Sequence, residues 1–234
     1  MVQLPPLYPI LDAGFLNDAT RLVIVAEELA AAGVTLIQYR NKSGNTRMML
    51  EQARELRRRL IAQTPQSQNP HPVAENATRV GHPALGHPAF GYSVRLIMND
   101  RADLCLAAEF DGVHVGHDDL SPEAVRKIIG PDRWLGVSTH SPEQVREADL
   151  TAADYLAIGP VFATSSKERP DPVVGLEGVR RARELTRKPL VAIGGITRAN
   201  AASVIAAGAD SVAVISDLVR EPRKSAEEFF RILR

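Results

Sequence analysis

The chain has 234 residues, 44% of them hydrophobic, and a formal net charge of zero at pH 7. That length and apolar content suffice for one large core, and α/β barrels of this size are usually single domains. Balanced charge leaves no basic footprint for nucleic acid, and one cysteine, Cys105, excludes an intrachain disulfide.

Short apolar runs alternate with amphipathic segments along the chain. Strands are expected at Tyr8 to Leu11, Thr35 to Arg40, Arg95 to Met98, Gly112 to Val115, Trp134 to Val137, Tyr155 to Ile158, Leu190 to Ile193 and Ser211 to Val214. Helices are expected after them in turn, at Ala19 to Ala32, Thr46 to Ile61, Ala102 to Glu109, Pro122 to Ile129, Pro142 to Leu150, Leu176 to Leu185, Arg198 to Ala206 and Pro222 to Leu233. Each helical segment carries apolar residues at the spacing of one buried stripe. Eight βα units in this order predict a (β/α)8 barrel spanning 1–234. Ser121-Pro122-Glu123 and Ser141-Pro142-Glu143 read as helix starts: a capping serine, proline at the first helical position and a carboxylate at the positive dipole end. Gly33 and Gly208 are placed to close helices in the left-handed conformation. Cys105, between Leu104 and Leu106, is expected to pack in a helix rather than react.

The stretch 63–93 breaks the alternation. It is rich in Pro, Asn, Gly and His and holds the near-repeat Gly81-His82-Pro83-Ala84-Leu85 and Gly86-His87-Pro88-Ala89-Phe90. An insertion between the second helix and the third strand is expected there, on the face of the barrel opposite the chemistry. Its His71, His82 and His87 are a poor metal set, because proline-rich segments rarely hold ligands in fixed geometry.

Barrel chemistry gathers at the C-terminal strand ends. Gln38, Arg40 and Lys42 alternate where the second strand gives way to a loop, so their side chains share one face. An amide and two cations there suit an anion, Arg as a planar fork and Lys as a compact charge. Asn99 and Asp100 follow the third strand, Asp118 and Asp119 the fourth, Ser138 and His140 the fifth, and Thr164, Ser165, Ser166 and Lys167 the sixth. Gly194-Gly195 and Ile215-Ser216 end the last two strands, where barrels commonly bind phosphate through backbone amides. Asp100 and Asp119 suit Mg²⁺, which takes one or two carboxylates and completes its octahedron with substrate phosphate and water. His114 lies within the fourth strand and no other His or Cys has ligand spacing to it, which argues against zinc.

With these residues assembled, the chain resembles the thiamine-phosphate synthase family over nearly its whole length outside the insertion. The motifs are Gln38-Tyr39-Arg40-Asn41-Lys42, Asn99-Asp100, Asp111-Gly112-Val113-His114-Val115-Gly116 with Asp119, Gly136-Val137-Ser138, Gly159-Pro160-Val161-Phe162 with Thr164, Ser166 and Lys167, Gly194-Gly195-Ile196 and Ile215-Ser216. The resemblance implies that the first motif, with Asn99, Ser138 and Lys167, binds an aminopyrimidine diphosphate, and that Asp100 and Asp119 hold Mg²⁺. It implies a thiazole phosphate at Thr164, Ser166, Gly195, Ile215 and Ser216, and Ser165 is counted beside them among the substrate-binding residues. Arg40, Lys42, Lys167 and Ser138 would then serve the departure of pyrophosphate as thiamine phosphate forms. His117 departs from the family, which often has glutamine there, and the insertion is atypical.

Three other readings share the phosphate loops: a thiazole tautomerase, a sugar-phosphate isomerase or aldolase, and a non-catalytic binding barrel. The tautomerase would not need the cations and paired carboxylates. The N-terminus, Met1 to Pro6, lacks the basic region and apolar core of a secretory signal, and no uncharged apolar run approaches membrane-spanning length. A cytoplasmic enzyme acting on small phosphorylated substrates, without nucleic-acid or membrane partners, is the expectation. The oligomeric state, a homo-oligomer included, stays open.

Overall fold

The computed structural model describes residues 2–61, 94–164 and 171–234. The insertion expected at 63–93 lies outside the described residues, as do Ser165, Ser166 and Lys167. Eight parallel strands close in sequence order into a barrel: β1 (Leu7–Asp12), β2 (Leu36–Arg40), β3 (Arg95–Asn99), β4 (Gly112–Val115), β5 (Trp134–Thr139), β6 (Tyr155–Ile158), β7 (Leu190–Ile193) and β8 (Ser211–Val214). Register runs from Ile10 opposite Gln38 round to Pro9 opposite Val214. Around them lie α1 (Ala13–Leu16), α2 (Ala19–Ala31), α3 (Thr46–Ile61), α4 (Ala102–Ala107), α5 (Pro122–Ile129), α6 (Pro142–Asp149), α7 (Gly175–Leu185), α8 (Ala201–Ala206) and α9 (Pro222–Ile232). The (β/α)8 barrel expected from the alternation is therefore the observed fold.

Local chemistry sets the boundaries. The Ser121 and Ser141 hydroxyls accept from the amides of Ala124 and Gln144, and proline opens both helices. Gly33 and Gly208 end α2 and α8 at φ +95° and +111°, where a β-carbon would be strained. Two short elements escape a periodicity reading: α1, started by Asp12 accepting from Gly14 and Phe15, and a 3-10 turn at Ser216–Leu218. α8 begins at Ala201 rather than Arg198 because Thr197 to Asn200 forms its own turn, the Thr197 amide donating to the Asn200 side chain.

Alternation divides the core into two layers. Outward strand residues such as Leu7, Leu11, Ile37, Tyr39, Val113 and Val115 pack against the helices. Tyr8, Ile10, Leu36, Ile97, Tyr155, Ala157, Val191 and Ala213 fill the barrel, and Val2 and Leu4 pack against them. Where the filling turns polar, toward the C-terminal strand ends, the cavity opens.

A repeated clamp ties strands together at the opposite end. Asp111, Asp154 and Asp210 directly precede β4, β6 and β8, and each accepts from the first or second amide of the preceding strand, at Leu96, Leu135 and Leu190. Each also accepts from a helix arginine, Arg57, Arg126 or Arg183. Asp154→Ala removes the acceptor of the Leu135 amide and the carboxylate beside Arg126, whose guanidinium keeps the Gly130, Arg133 and Ala152 carbonyls. Hydrogen bonds to a charged group are each worth about 1.5–3 kcal/mol, so the variant is expected to unfold at a clearly lower urea concentration with an unchanged slope. An unshifted midpoint would refute the clamp.

Candidate active site

The strand ends enclose a cavity of about 520 Å³. Gln38, Arg40, Lys42, Asn99, Asp100, Asp119, Ser138, Thr164, Gly195, Ile215 and Ser216 all line it, together with His117, Asp118 and His140. The sequence-expected residues that fall among the described ones thus converge, with two exceptions. Tyr39 and Asn41 face the other way, toward α3: the Tyr39 hydroxyl donates to Gln52 Oε1 at 2.6 Å, and Asn41 Nδ2 donates to the same oxygen at 3.0 Å. Strand alternation requires this, since adjacent letters of a motif point to opposite faces. Burial pushes the Tyr39 hydroxyl up to about 12, so it remains a donor.

Both cations are already held. Arg40 Nη1 contacts Asp12 Oδ2, while Asp12 Oδ1 caps α1. Lys42 Nζ contacts Asp100 Oδ2. Asp100 itself sits in the left-handed region at φ +61°, its amide donating to the His114 carbonyl at 2.8 Å. A non-glycine residue held there costs on the order of 1–3 kcal/mol and marks a position that the surrounding structure over-determines.

Asp119 is fixed by its own loop, Oδ2 accepting from the Gly116 amide at 2.8 Å. Burial raises its carboxyl above the ordinary carboxylate value, and a hydrogen bond with the adjacent Asp100 carboxyl adds to the rise. Two carboxyls meeting in a partly buried site fit a hard divalent cation: their oxygens suit Mg²⁺, and charge between them would relieve the mutual repulsion. Among the described residues no group of three or more His, Cys, Asp or Glu surrounds a common point. A two-carboxylate site of this kind would leave the other positions to substrate oxygens and water.

On the far wall, Gly194 and Gly195 take φ +99° and +63° and press on the loop after β6. A β-carbon on Gly194 would lie 2.5 Å from Pro160 Cβ, and one on Gly195 2.6 Å from the Ala163 carbonyl oxygen. Only glycine fits, and successive backbone units stay uncovered toward the cavity, as a phosphate cradle requires.

The chain that builds this mouth matches one group of proteins over nearly its whole length. The profile described as "Thiamine monophosphate synthase" matches residues 85–218. The thiamine-phosphate synthase of Koribacter versatilis (strain Ellin345) is 51% identical over 235 residues, covering 99% of this chain and 97% of that protein. The chain belongs to the thiamine-phosphate synthase family. It is a transferase of thiamine biosynthesis. The thiamine-phosphate synthase of Chloroflexus aurantiacus is 39% identical over 213 residues, covering 91% of this chain and 84% of that protein. The solved structure of a thiamine phosphate pyrophosphorylase from Pyrococcus furiosus superposes with a TM-score of 0.75 at 31% identity, covering 97% of this chain and 95% of that one.

Sequence reasoning did not assign Tyr8, His114 and Tyr155 to the site of this synthase-family barrel. They lie directly beneath it. His114 Nε2 is 2.9 Å from Ser138 Oγ and its Nδ1 3.1 Å from the Tyr155 hydroxyl, which is 3.0 Å from that of Tyr8. Burial lowers the His114 imidazole to about 4, against a smaller opposing pull from Asp119, so it is neutral at pH 7. Burial also raises both tyrosine hydroxyls, which keeps them protonated. His140, at the rim, donates from Nδ1 to the Gly159 carbonyl at 2.5 Å, with Nε2 3.5 Å from Asp171.

Proposed function

We propose that this chain joins 4-amino-2-methyl-5-pyrimidinylmethyl diphosphate to a thiazole phosphate or its carboxylate, giving thiamine phosphate and pyrophosphate, and carbon dioxide as well where the carboxylate is the substrate. The C–O bond between the pyrimidine methylene and the diphosphate breaks, its electron pair leaving on the diphosphate. The thiazole nitrogen supplies the pair for the new C–N bond. No protein nucleophile is required.

The observation that carries this reading is the facing of two anion-suited walls across one cavity, Arg40 and Lys42 with Asp100 and Asp119 on one side, Gly194-Gly195 and Ile215-Ser216 on the other. Bound at the two carboxylates, Mg²⁺ would add Lewis-acid charge stabilisation to the diphosphate oxygens. Arg40 spends only Nη1 on Asp12 among the described residues, which leaves the rest of its fork for phosphate. With Lys42 and Lys167 it would offset the charge growing on the leaving group, and preorganised charge of this kind is often the largest catalytic contribution. Gln38, Asn99 and Ser138 would orient the pyrimidine diphosphate. Thr164, Ser166, Gly195, Ile215 and Ser216 would hold the thiazole phosphate, with Ser165 as a further substrate contact. The reading treats the chain as one domain with small phosphorylated substrates as partners and a cytoplasmic setting. No helix among the described residues is long and apolar enough to cross a membrane.

Pyrophosphate release tests it. Mixing the protein with both substrates and Mg²⁺ is expected to release one pyrophosphate per thiamine phosphate, with no sustained release when the thiazole phosphate or the metal is withheld. Turnover of a ketose or aldehyde phosphate, or binding of both substrates without pyrophosphate, would overturn the reading.

A further inference from the structure

We propose that the buried array Gln38, Tyr8, Tyr155 and His114 holds the Ser138 hydroxyl as a one-way hydrogen-bond donor into the cavity, making Tyr8, Tyr155 and His114 positioning residues for the pyrimidine diphosphate. The inference rests on the reading of Ser138 as a contact to that substrate. It assigns work to three residues outside the substrate-contact set.

The argument is one of donors and acceptors. Gln38 Nε2 donates to the Tyr8 hydroxyl oxygen at 3.0 Å. In the proposed array Tyr8, its oxygen accepting from Gln38, sends its own hydrogen to Tyr155, at 3.0 Å, and Tyr155 sends its hydrogen to His114 Nδ1, at 3.1 Å. A neutral imidazole that accepts at Nδ1 carries its hydrogen on Nε2. That hydrogen goes to Ser138 Oγ at 2.9 Å. One lone pair of Ser138 is thereby occupied from below, and its hydrogen is directed upward to an acceptor of the substrate. Reversing the array with the Tyr8 hydrogen kept inside it would require Gln38 to present its oxygen to Tyr8, and any reversal would leave Ser138 to face the diphosphate with lone pairs toward an anion. Four residues from β2, β1, β6 and β4 thus set the direction of one hydroxyl hydrogen on β5.

Gly136 supports the arrangement independently. It precedes Ser138 by one inward position on β5, and a β-carbon there would lie 2.2 Å from Tyr155 Cζ and 2.4 Å from His114 Nδ1. The space that a side chain would take is the space in which the Tyr155–His114 bond forms. Tyr8 and Tyr155 also meet edge to face, 6.2 Å between centroids at 73°, which fixes both rings.

Two measurements test the proposal. In ¹⁵N-histidine spectra of the parent protein, with the His114 signals assigned by their loss in His114→Gln, the Nε2–H tautomer is expected, and Tyr155→Phe is expected to disturb it. In pyrophosphate-release assays, Tyr155→Phe and His114→Phe should each lower kcat about 10- to 100-fold, as the loss of outer hydrogen-bond partners typically does. In a Ser138→Ala background the same changes should be nearly silent, because they act through that hydroxyl. His114→Gln, which can present an amide donor to Ser138, should restore part of the rate. A parent His114 protonated on Nδ1, or losses that multiply in full with that of Ser138→Ala, would overturn the array. The tautomer measurement needs no turnover, so it stands apart from any failure of the parent to release pyrophosphate, which would instead overturn the proposed function.

Discussion

Asp119→Asn and Asp100→Ala are expected to lower turnover roughly a hundred- to a thousand-fold, the range typical of losing one preorganised electrostatic contact, while Asp118→Ala stays close to the parent. The three aspartates are neighbours on the rim but differ in what holds them. Asp118 is fully exposed and among the described residues meets only His117, at 3.4 Å. Asp119 is tied to the Gly116 amide, and Asp100 is set by its left-handed backbone and by Lys42. Asn at 119 keeps an oxygen for the Gly116 amide and removes the charge, so a loss of rate would report on the metal and not on the loop. Raising Mg²⁺ should recover more of the Asp119→Asn rate than of the Asp100→Ala rate, since an amide oxygen can still ligate weakly. Circular dichroism should match the parent in all three. If Asp118→Ala abolishes activity and Asp119→Asn does not, the assignment of the carboxylates falls.

Arg40→Met should cost a similar factor in kcat/KM, about a hundred- to a thousand-fold, and leave thiazole phosphate binding largely unchanged by calorimetry. Met retains much of the side-chain bulk and removes the fork. The same result is expected for Lys167→Met. Arg40→Met carries a second consequence: Asp12 is buried, and without the guanidinium its carboxylate keeps, among the described residues, only the Gly14 and Phe15 amides. A lower melting temperature is therefore expected too, and rates must be compared well below it. Arg40→Lys should restore charge but not the two-point geometry, and recover only part of the rate. Collapse of thiazole phosphate affinity, with coupling to the pyrimidine diphosphate continuing at near-parent rate, would move these cations to the other substrate.

Much of this was legible in the chain before any tertiary structure. β4, β6, β7 and β8 and helices α3 and α5 coincide with the expected segments residue for residue, because each is an apolar run or stripe bounded by turn and cap residues whose chemistry is local. The strand-end residues were found from position alone, since a closed parallel barrel sends every strand's C-terminal end to one face. What stayed hidden was whatever depends on partners far along the chain. Asp12 beside Arg40, Lys42 beside Asp100 and the clamps at Asp111, Asp154 and Asp210 pair charges that no short spacing announces. Tyr8, His114 and Tyr155 are hidden for a different reason. Both faces of a barrel strand are buried, so hydrophobic patterning does not distinguish a residue that packs under a helix from one that points inward to a neighbour's hydroxyl. The sequence by itself determined the barrel and the ring of residues at its mouth; only closure of the eight strands decided which inward-facing polar groups meet beneath that ring, because a hydrogen bond spanning 147 residues, as between Tyr8 and Tyr155, exists only once β1 and β6 face each other across the interior.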